Sequence, residues 1–202
     1  MPREKGTCYD TGLGTFLIMY MEGRFEGGKE FNEMLSNVDL LHTYMDFIGE
    51  IPPSNMDGKS FYNLINNNNY IEHDYIFSEM TWHDQYNPMR SVRTKKFKYI
   101  KNCGIRPKVY LPLDVYQGFA GQDMMKDYYY YTREKEELYD LEKDPFELNN
   151  LINDKNYNDK LNNLRNILKK WMIESNDQLL IGDIPPNTIQ FNRINNNKYN
   201  NG

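Results

Sequence analysis

The sequence has 202 residues, a net charge of −5 and 26% charged residues, which suits one domain or one large subdomain followed by a tail. An acidic chain is a poor partner for nucleic acid, because phosphate binding needs clustered Lys and Arg. No apolar stretch approaches about 18 residues, so we expect no membrane span. The two cysteines, Cys8 and Cys103, lack a metal-type C-x-x-C spacing and are expected to be free thiols.

The first part of the chain predicts one strand and two helices. The apolar run from Thr15 to Tyr20 is long enough for a buried strand. Leu35 to Ile48 carries apolar residues at helical spacing, and Gly49 is expected to end that helix. Ser60 to Ile65 predicts a short second helix.

The second part of the chain predicts an antiparallel sheet and one long helix. The predicted strands are Tyr75–Met80, Met89–Thr94, Phe97–Asn102, Tyr128–Thr132 and Glu137–Leu141. Only two residues separate Met89–Thr94 from Phe97–Asn102, and this tight spacing favours an antiparallel hairpin. Lys155 to Glu174 places five apolar side chains in one stripe and predicts the longest helix.

This order of elements indicates an α/β fold class. We predict the edge of an α/β domain over residues 1–70. A small α+β subdomain over residues 71–177 follows, formed by an antiparallel sheet and one long C-terminal helix. Residues 178–202 are Asn-rich and are expected to form a disordered tail.

Three segments, by their order and spacing, resemble the sulfatase family. Pro2 to Gly12 (PREKGTCYDTG) is similar to the family stretch P-R-x-K-G-T-x-Y-D-x-G. Asn87 to Thr94 (NPMRSVRT) resembles a later segment, and Glu137 to Leu151 resembles the E-L-Y-D-L-x-x-D-P-x-E-x-x-N-L signature near sulfatase C-termini. The set is most similar to the N-sulfoglucosamine sulfohydrolase (sulfamidase) branch. Residues 1–70 would then be the C-terminal end of the sulfatase catalytic domain.

The resemblance implies hydrolysis of a sulfate ester or a sulfamate, on a sulfated carbohydrate or an aryl sulfate. In the family, a Cys or Ser in a C-x-P-x-R type motif becomes the formylglycine nucleophile. A Ca²⁺ held by Asp and Asn side chains neutralises the sulfate oxygens. Neither Cys8 nor Cys103 stands in such a motif, and no Asp-Asp cluster opens the chain. We therefore expect a C-terminal fragment that is inactive alone, binds no Ca²⁺ alone, and has an N-terminal sulfatase half as a candidate partner.

Three residues are the candidate site residues. Lys5 matches a basic family residue that contacts the substrate sulfate, and the resemblance gives it a catalytic role. His83 lies in a predicted loop beside Trp82 and Tyr86 and is expected to bind the sugar, with a solvated loop histidine as the alternative. Arg90 is expected to bind a carboxylate or sulfate of the substrate, or else to pair with a nearby Asp or Glu.

The remaining charged groups are expected to be structural. His42 and His73 are interpreted as structural histidines, and no metal ligands are predicted. The lysines at positions 95, 96, 98 and 101 are expected to form a solvated hairpin edge, where they would discourage strand addition. The alternative function is a non-catalytic module that binds sulfated glycans or complements a separate N-terminal half. The sequence does not indicate a cellular compartment.

Overall fold

The computed structural model describes residues 5–25, 27–66, 69–104, 107–108, 111–128 and 131–190. The chain forms two compact units, one of residues 1–14 with 77–202 and the other of residues 15–76. This division separates the first residues from the segment that follows them, whereas the sequence predicted one domain over residues 1–70.

Both units contain short helices, and the four strands lie together. Within the described ranges the helices are Asp10–Leu13 (α1), Asp39–Ile48 (α2), Tyr62–Ile65 (α3), Leu113–Tyr116 (α4), Phe119–Tyr128 (α5) and Asn158–Glu174 (α6). The strands are Ile76–Trp82 (β1), Tyr86–Arg93 (β2), Phe97–Asn102 (β3) and Glu136–Asp140 (β4). Short 3-10 turns lie before and after α6, at Lys155–Tyr157 and Gln178–Leu180.

The strands form one sheet in the order β1-β2-β3-β4. β2 pairs antiparallel with β3, which places Val92 opposite Tyr99. β3 pairs antiparallel with β4, which places Tyr99 opposite Leu138. The predicted antiparallel sheet with one long C-terminal helix is therefore confirmed.

Helix α6 covers one face of this sheet. Its buried residues are Leu161, Leu164, Leu168 and Met172. They form one core with Val92 of β2, Tyr99 of β3 and Leu138 of β4. Trp171 adds a ring stacked on Phe77, with ring centroids 4.9 Å apart. Full burial of a side chain of this size contributes about 1.5–3 kcal/mol, so the apolar stripe predicted from the sequence is the main attachment of α6.

The first residues of the chain cover the other face. Cys8 and Tyr9 pack against Met89, Ile100 and Tyr139 in a second buried cluster. Because side chains alternate along a strand, Met89 and Val92 of β2 point to opposite faces and join different clusters. The sheet is thus buried on both sides, although antiparallel sheets often leave one face in water.

The unit of residues 15–76 is built around helix α2. The Asp39 carboxylate accepts hydrogen bonds from the Lys59 backbone N–H at 2.9 Å and the His73 ring at 2.8 Å. His73 therefore has a structural role, as expected. Gly49 ends α2 in the left-handed conformation, with φ of 76°. A residue without Cβ adopts that conformation at little cost, which is why glycine terminates helices so often.

The predicted strand from Thr15 to Tyr20 is wrong. These residues have no regular secondary structure, and Phe16 and Ile18 are 95% and 89% exposed. An apolar run is consistent with a strand, but a strand also needs a neighbouring strand that accepts and donates its backbone hydrogen bonds. No such neighbour is present among the described residues of this unit.

Two other predicted segments differ from the structure. Tyr128–Thr132 is not a strand, because Tyr128 ends α5 and Thr132 forms an isolated bridge with Pro107; residues 129–130 lie outside the described ranges. The predicted disordered tail begins too early, since Gln178–Leu180 is a 3-10 turn. Residues 191–202 lie outside the described residues.

The structure also bears on the cysteines and on the length and character of the helices. Cys8 and Cys103 are both free thiols, as predicted. Among the helices of the described ranges, none has the length and apolar character that crossing a membrane requires.

Candidate functional site

Two of the predicted site residues lie at the end of the sheet where β1 turns into β2. We call this group the turn cluster, defined as Lys5, His83, Asp84, Asn87 and Asp114. Its members come from three separate parts of the chain: the N-terminal segment, the turn between β1 and β2, and the start of α4. The following contacts assemble it.

The position of Lys5 is fixed by a hydrogen bond to the backbone of its neighbour, Gly6. The fully buried Asn87 donates from Nδ2 to the Gly6 carbonyl over 3.1 Å, which fixes the N-terminal segment to the first residues of β2. The Lys5 ammonium donates to Asp114 Oδ2 over 2.6 Å, and both side chains are more than half exposed. Hydrogen bonding from Lys5 holds the pKa of Asp114 below its ordinary value. Lys5 therefore presents an accessible cation at this end of the sheet.

His83 is placed by the turn itself. Its backbone N–H donates to the Gln85 carbonyl over 3.3 Å. The neighbouring Asp84 accepts the Leu113 backbone N–H at Oδ2 over 2.5 Å. Because Leu113 directly precedes Asp114, the partners of Asp84 and Lys5 are consecutive residues. Lys5 and His83 are far apart in sequence, and these contacts bring them to the same place.

An aromatic pair flanks the turn and is held by the segment after α6. The rings of Trp82 and Tyr86 lie 4.9 Å apart. Trp82 Nε1 donates to the Ile184 carbonyl over 3.0 Å, and the Tyr86 hydroxyl donates to Asp183 over 2.9 Å. We call residues 177–184 the strap. Its contacts fix the aromatic side chains that the sequence placed beside His83.

Arg90 does not join the turn cluster. Its side chain is only 2% exposed, and Nε and Nη2 donate to the two oxygens of Asp177 over 2.6 and 3.0 Å. Nη1 donates to the Met80 carbonyl over 2.9 Å. The alternative of an ion pair with a nearby carboxylate is the arrangement found here. A substrate contact by Arg90 stays a prediction, and it would require Asp177 to be displaced.

A partly buried ion cluster on the face that the N-terminal segment covers was not predicted as a unit. Lys98 Nζ lies 2.7 Å from Asp10 Oδ1 and 3.2 Å from Glu147 Oε1. Arg93 Nε donates to Asp10 Oδ2 over 2.9 Å, and Glu147 accepts the Asp10 backbone N–H over 2.6 Å. The expectation that Lys98 is a solvated edge lysine is wrong, because its side chain points into the sheet face that the N-terminal segment covers and is 0% exposed.

The pKa values of the two carboxylates of this cluster are shifted in opposite directions. Burial by itself would raise the pKa of Asp10, but Lys98 and Arg93 together hold that pKa below its ordinary value. Burial raises the pKa of Glu147, because the partial compensation from Lys98 is too small. Lys98 thus stabilises an ionised Asp10 chiefly. The cluster anchors the segment that carries Lys5.

The described residues of this site do not include the nucleophile or the metal ligands that the resemblance implies. Burial raises the pKa of the Cys8 thiol to about 11, so the thiol stays protonated and unreactive at neutral pH. In the part of the chain that the structure describes, no three His, Cys, Asp or Glu side chains group so that they could hold a metal ion. The described residues therefore do not fit the Ca²⁺ that the resemblance implies.

Comparisons with known proteins agree with the resemblance. The family described as N-sulphoglucosamine sulphohydrolase, C-terminal, matches residues 3–110. An ulvan-active sulfatase of Formosa agariphila is 32% identical over 192 residues, covering 88% of this chain and 32% of its own. The chain therefore spans about a third of the length of the curated relatives it matches.

Solved structures share the fold. A 2-O GAG sulfatase matches with a TM-score of 0.53 and 24% identity, over 75% of this chain and 27% of its own. A second protein, solved with its substrate D-glucosamine-2-N,6-O-disulfate, matches with a TM-score of 0.51 and 21% identity, over 71% of this chain and 25% of its own. At these identities the likeness concerns the fold.

Proposed function

Because this chain belongs to the sulfatases, in the N-sulphoglucosamine sulphohydrolase C-terminal family, we propose that it forms the substrate-facing C-terminal part of an enzyme that hydrolyses sulfate groups on a sulfated sugar. Within that activity, Lys5 contacts a sulfate oxygen and His83 contacts the sugar. The scissile bond is a sulfate ester or a sulfamate. Relatives named as sulfatases, and the glucosamine disulfate bound to a protein of the same fold, support the substrate class.

The observation that carries this proposal is the convergence of Lys5 and His83 at one turn. An ammonium has three donors, and the Asp114 carboxylate is an exposed partner that an incoming sulfate can replace. The imidazole of His83 is one-third exposed, with the Trp82 and Tyr86 rings beside it in sequence. An accessible cation linked to a histidine through Asp114, Leu113 and Asp84 suits a ligand that carries both an anion and a sugar ring.

The proposal assigns binding and orientation to this chain and no attack on sulfur. Cys8 is buried and protonated, and Cys103 is followed by Gly-Ile-Arg-Pro rather than x-P-x-R. We propose that the nucleophile and the metal ligands are supplied by residues outside those described. The purified chain is then expected to turn over no aryl sulfate.

The test is calorimetric binding of a heparin-derived sulfated oligosaccharide at low salt. Lys5→Ala is expected to weaken binding about tenfold or more, because a hydrogen bond to a charged group contributes on the order of 1.5–3 kcal/mol. The matched control is Lys170→Ala, which removes an exposed lysine that also has one carboxylate neighbour, Glu174 at 3.6 Å. Equal affinities of the two variants would contradict the role of Lys5.

A turnover assay separates binding from catalysis. The purified chain is incubated with p-nitrophenyl sulfate, and release of nitrophenol is followed over hours. No release above the buffer rate is expected. Turnover that disappears in the Lys5→Ala variant would show that the chain is catalytic by itself and would overturn the assignment of binding alone.

A further inference from the structure

We propose that Asp84 is a positioning residue that sets the tautomer and the orientation of His83. One consequence rests on the proposed function: Nε2 of His83 accepts a hydrogen bond from the sugar. The positioning itself concerns two side chains of this chain and is measurable without substrate.

The two oxygens of Asp84 have different surroundings. Oδ2 accepts the Leu113 backbone N–H over 2.5 Å. Oδ1 faces His83 Nδ1 at 3.5 Å. Both Oδ1 and Nδ1 are buried, and neither has a hydrogen-bond partner among the described residues. A buried polar atom without a partner costs about 1–3 kcal/mol, so each of these two atoms is the natural partner of the other.

The carboxylate is held through the oxygen that does not face the imidazole. The Leu113 N–H begins α4 and has no acceptor within that helix, so Asp84 is its partner and is fixed by it. His83 is held separately, by the backbone hydrogen bond from its N–H to the Gln85 carbonyl. The 3.5 Å between Nδ1 and Oδ1 is longer than a hydrogen bond, so the proposed pairing requires the two groups to move closer together. Such pairs are often long in the absence of substrate and shorten when it binds.

The chemical consequence is a choice of tautomer. A carboxylate accepts hydrogen bonds and donates none, so of the two neutral tautomers Oδ1 favours the one that carries its proton on Nδ1. The proton-free Nε2 then accepts a hydrogen bond from a sugar hydroxyl. His83 is 33% exposed and Asp84 is 15% exposed, so the pair presents the histidine outward and keeps the carboxylate behind it.

The test compares the ¹⁵N spectra of the histidine rings in the wild type and in Asp84→Asn, at a pH where the imidazole is neutral. The sequence has three histidines, and His83→Gln assigns the signals. The Asn amide oxygen still accepts the Leu113 N–H, but the amide nitrogen now donates toward Nδ1. The wild type is expected to carry the proton on Nδ1 and the variant on Nε2. The same tautomer in both proteins overturns the proposal.

A conservative variant and a binding measurement complete the test. Asp84→Glu restores a carboxylate and is expected to return the Nδ1–H tautomer, whereas the Leu113 amide resonance reports whether α4 stays in place. For the sulfated oligosaccharide, Asp84→Asn is expected to bind about as weakly as His83→Gln. A tautomer change with unchanged affinity would keep the positioning role and overturn the proposed contact of His83 with the sugar. An unchanged tautomer overturns the positioning role whatever the affinity does.

Discussion

The turn cluster and the interior of the sheet both contain cations, but the cations differ in what surrounds them. Lys5 is 52% exposed and has one exposed carboxylate partner. Lys98 and Arg90 are 0% and 2% exposed, and each has a partner that is buried: Glu147 for Lys98 and Asp177 for Arg90. Removing a charge from water costs several kcal/mol unless partners compensate it. The interior cations are therefore committed to the fold, and the exposed one is available to a ligand.

This difference gives a physical criterion for sorting basic residues within one motif. Arg90 and Arg93 stand in the segment that resembles sulfatases, and each pairs with a carboxylate distant in sequence. A basic residue with an exposed partner can exchange that partner for a substrate sulfate. A buried pair cannot do so without leaving a buried carboxylate uncompensated. The predictions that follow test this criterion, beginning with the largest expected effect.

Replacing Lys98 by Met is expected to destabilise the chain most. It leaves the buried Glu147 and the partly exposed Asp10 without their shared cation, and breaking a buried ion pair from one side costs about 3–5 kcal/mol. Urea unfolding measures the change. Lys101→Met is the matched control, because Lys101 is an exposed lysine of the same strand. A loss in Lys98→Met no larger than in the control would show that the buried cluster does not stabilise the fold.

Replacing Asp177 by Asn is expected to have the next largest effect. The amide keeps the shape of the side chain but removes the charge that faces the Arg90 guanidinium, which costs about 1–3 kcal/mol. Asp183→Asn is the control, since that exposed strap residue contacts the Tyr86 hydroxyl and can still accept its hydrogen bond. Equal unfolding free energies for the two variants would place Arg90 among the available cations instead of the structural ones.

The two carboxylates beside Lys98 are expected to give pH dependences of opposite sign. The pKa of Asp10 is lowered in the folded state, so its stabilisation is complete above the unfolded value of 3.8 and is lost as the pH falls through the folded value. The pKa of Glu147 is raised, so its stabilisation is present below 4.5 and is lost as the pH rises through the folded value.

Unfolding free energies of Asp10→Asn and Glu147→Gln, measured against pH, check these signs. The advantage of the wild type over Asp10→Asn should shrink as the pH falls below 3.8. The difference between the wild type and Glu147→Gln should move in favour of the variant as the pH rises above 4.5. Differences that change in the same direction would mean that Lys98 compensates both carboxylates equally.

The smallest effect on stability is expected for Lys5→Ala. Exposed ion pairs contribute little to folding, because water and salt screen them. The unfolding midpoint should not change measurably, although binding of the sulfated oligosaccharide should weaken. A clear loss of stability would move Lys5 into the structural class and would weaken the proposed contact with sulfate.

Local patterns predicted much of the fold. The period of the apolar residues in α6 and the short spacing between β2 and β3 both depend on neighbours in sequence, and the helix and the antiparallel hairpin that they predicted are confirmed. The run from Thr15 to Tyr20 shows where such patterns fail. Hydrophobicity indicates that a segment can be buried, but it does not supply the neighbouring strand that would bury it.

The candidate site was less predictable, because its members meet only after folding. The resemblance identified Lys5, and the loop position suggested His83, but no pattern showed that Leu113 and Asp114 link them. Lys98 was assigned to the solvated edge since its partner Asp10 is 88 residues away. The signal that could have found it is Glu147, a member of the signature near the C-terminus whose buried carboxylate requires a cation.

The packing of the first residues against the sheet has a practical consequence for shortened versions of the protein. Residues 5–14 bind to the sheet through three kinds of contact. Cys8 and Tyr9 pack on its surface, and Asp10 pairs with Lys98. The Gly6 carbonyl accepts a hydrogen bond from Asn87. A recombinant version trimmed to start at residue 77 would expose the sheet surface that Cys8 and Tyr9 cover and would leave Lys98 without Asp10. A synthetic peptide of residues 1–14 added in trans should then bind to the uncovered sheet surface. Such binding would make this segment a usable tag for split-protein complementation.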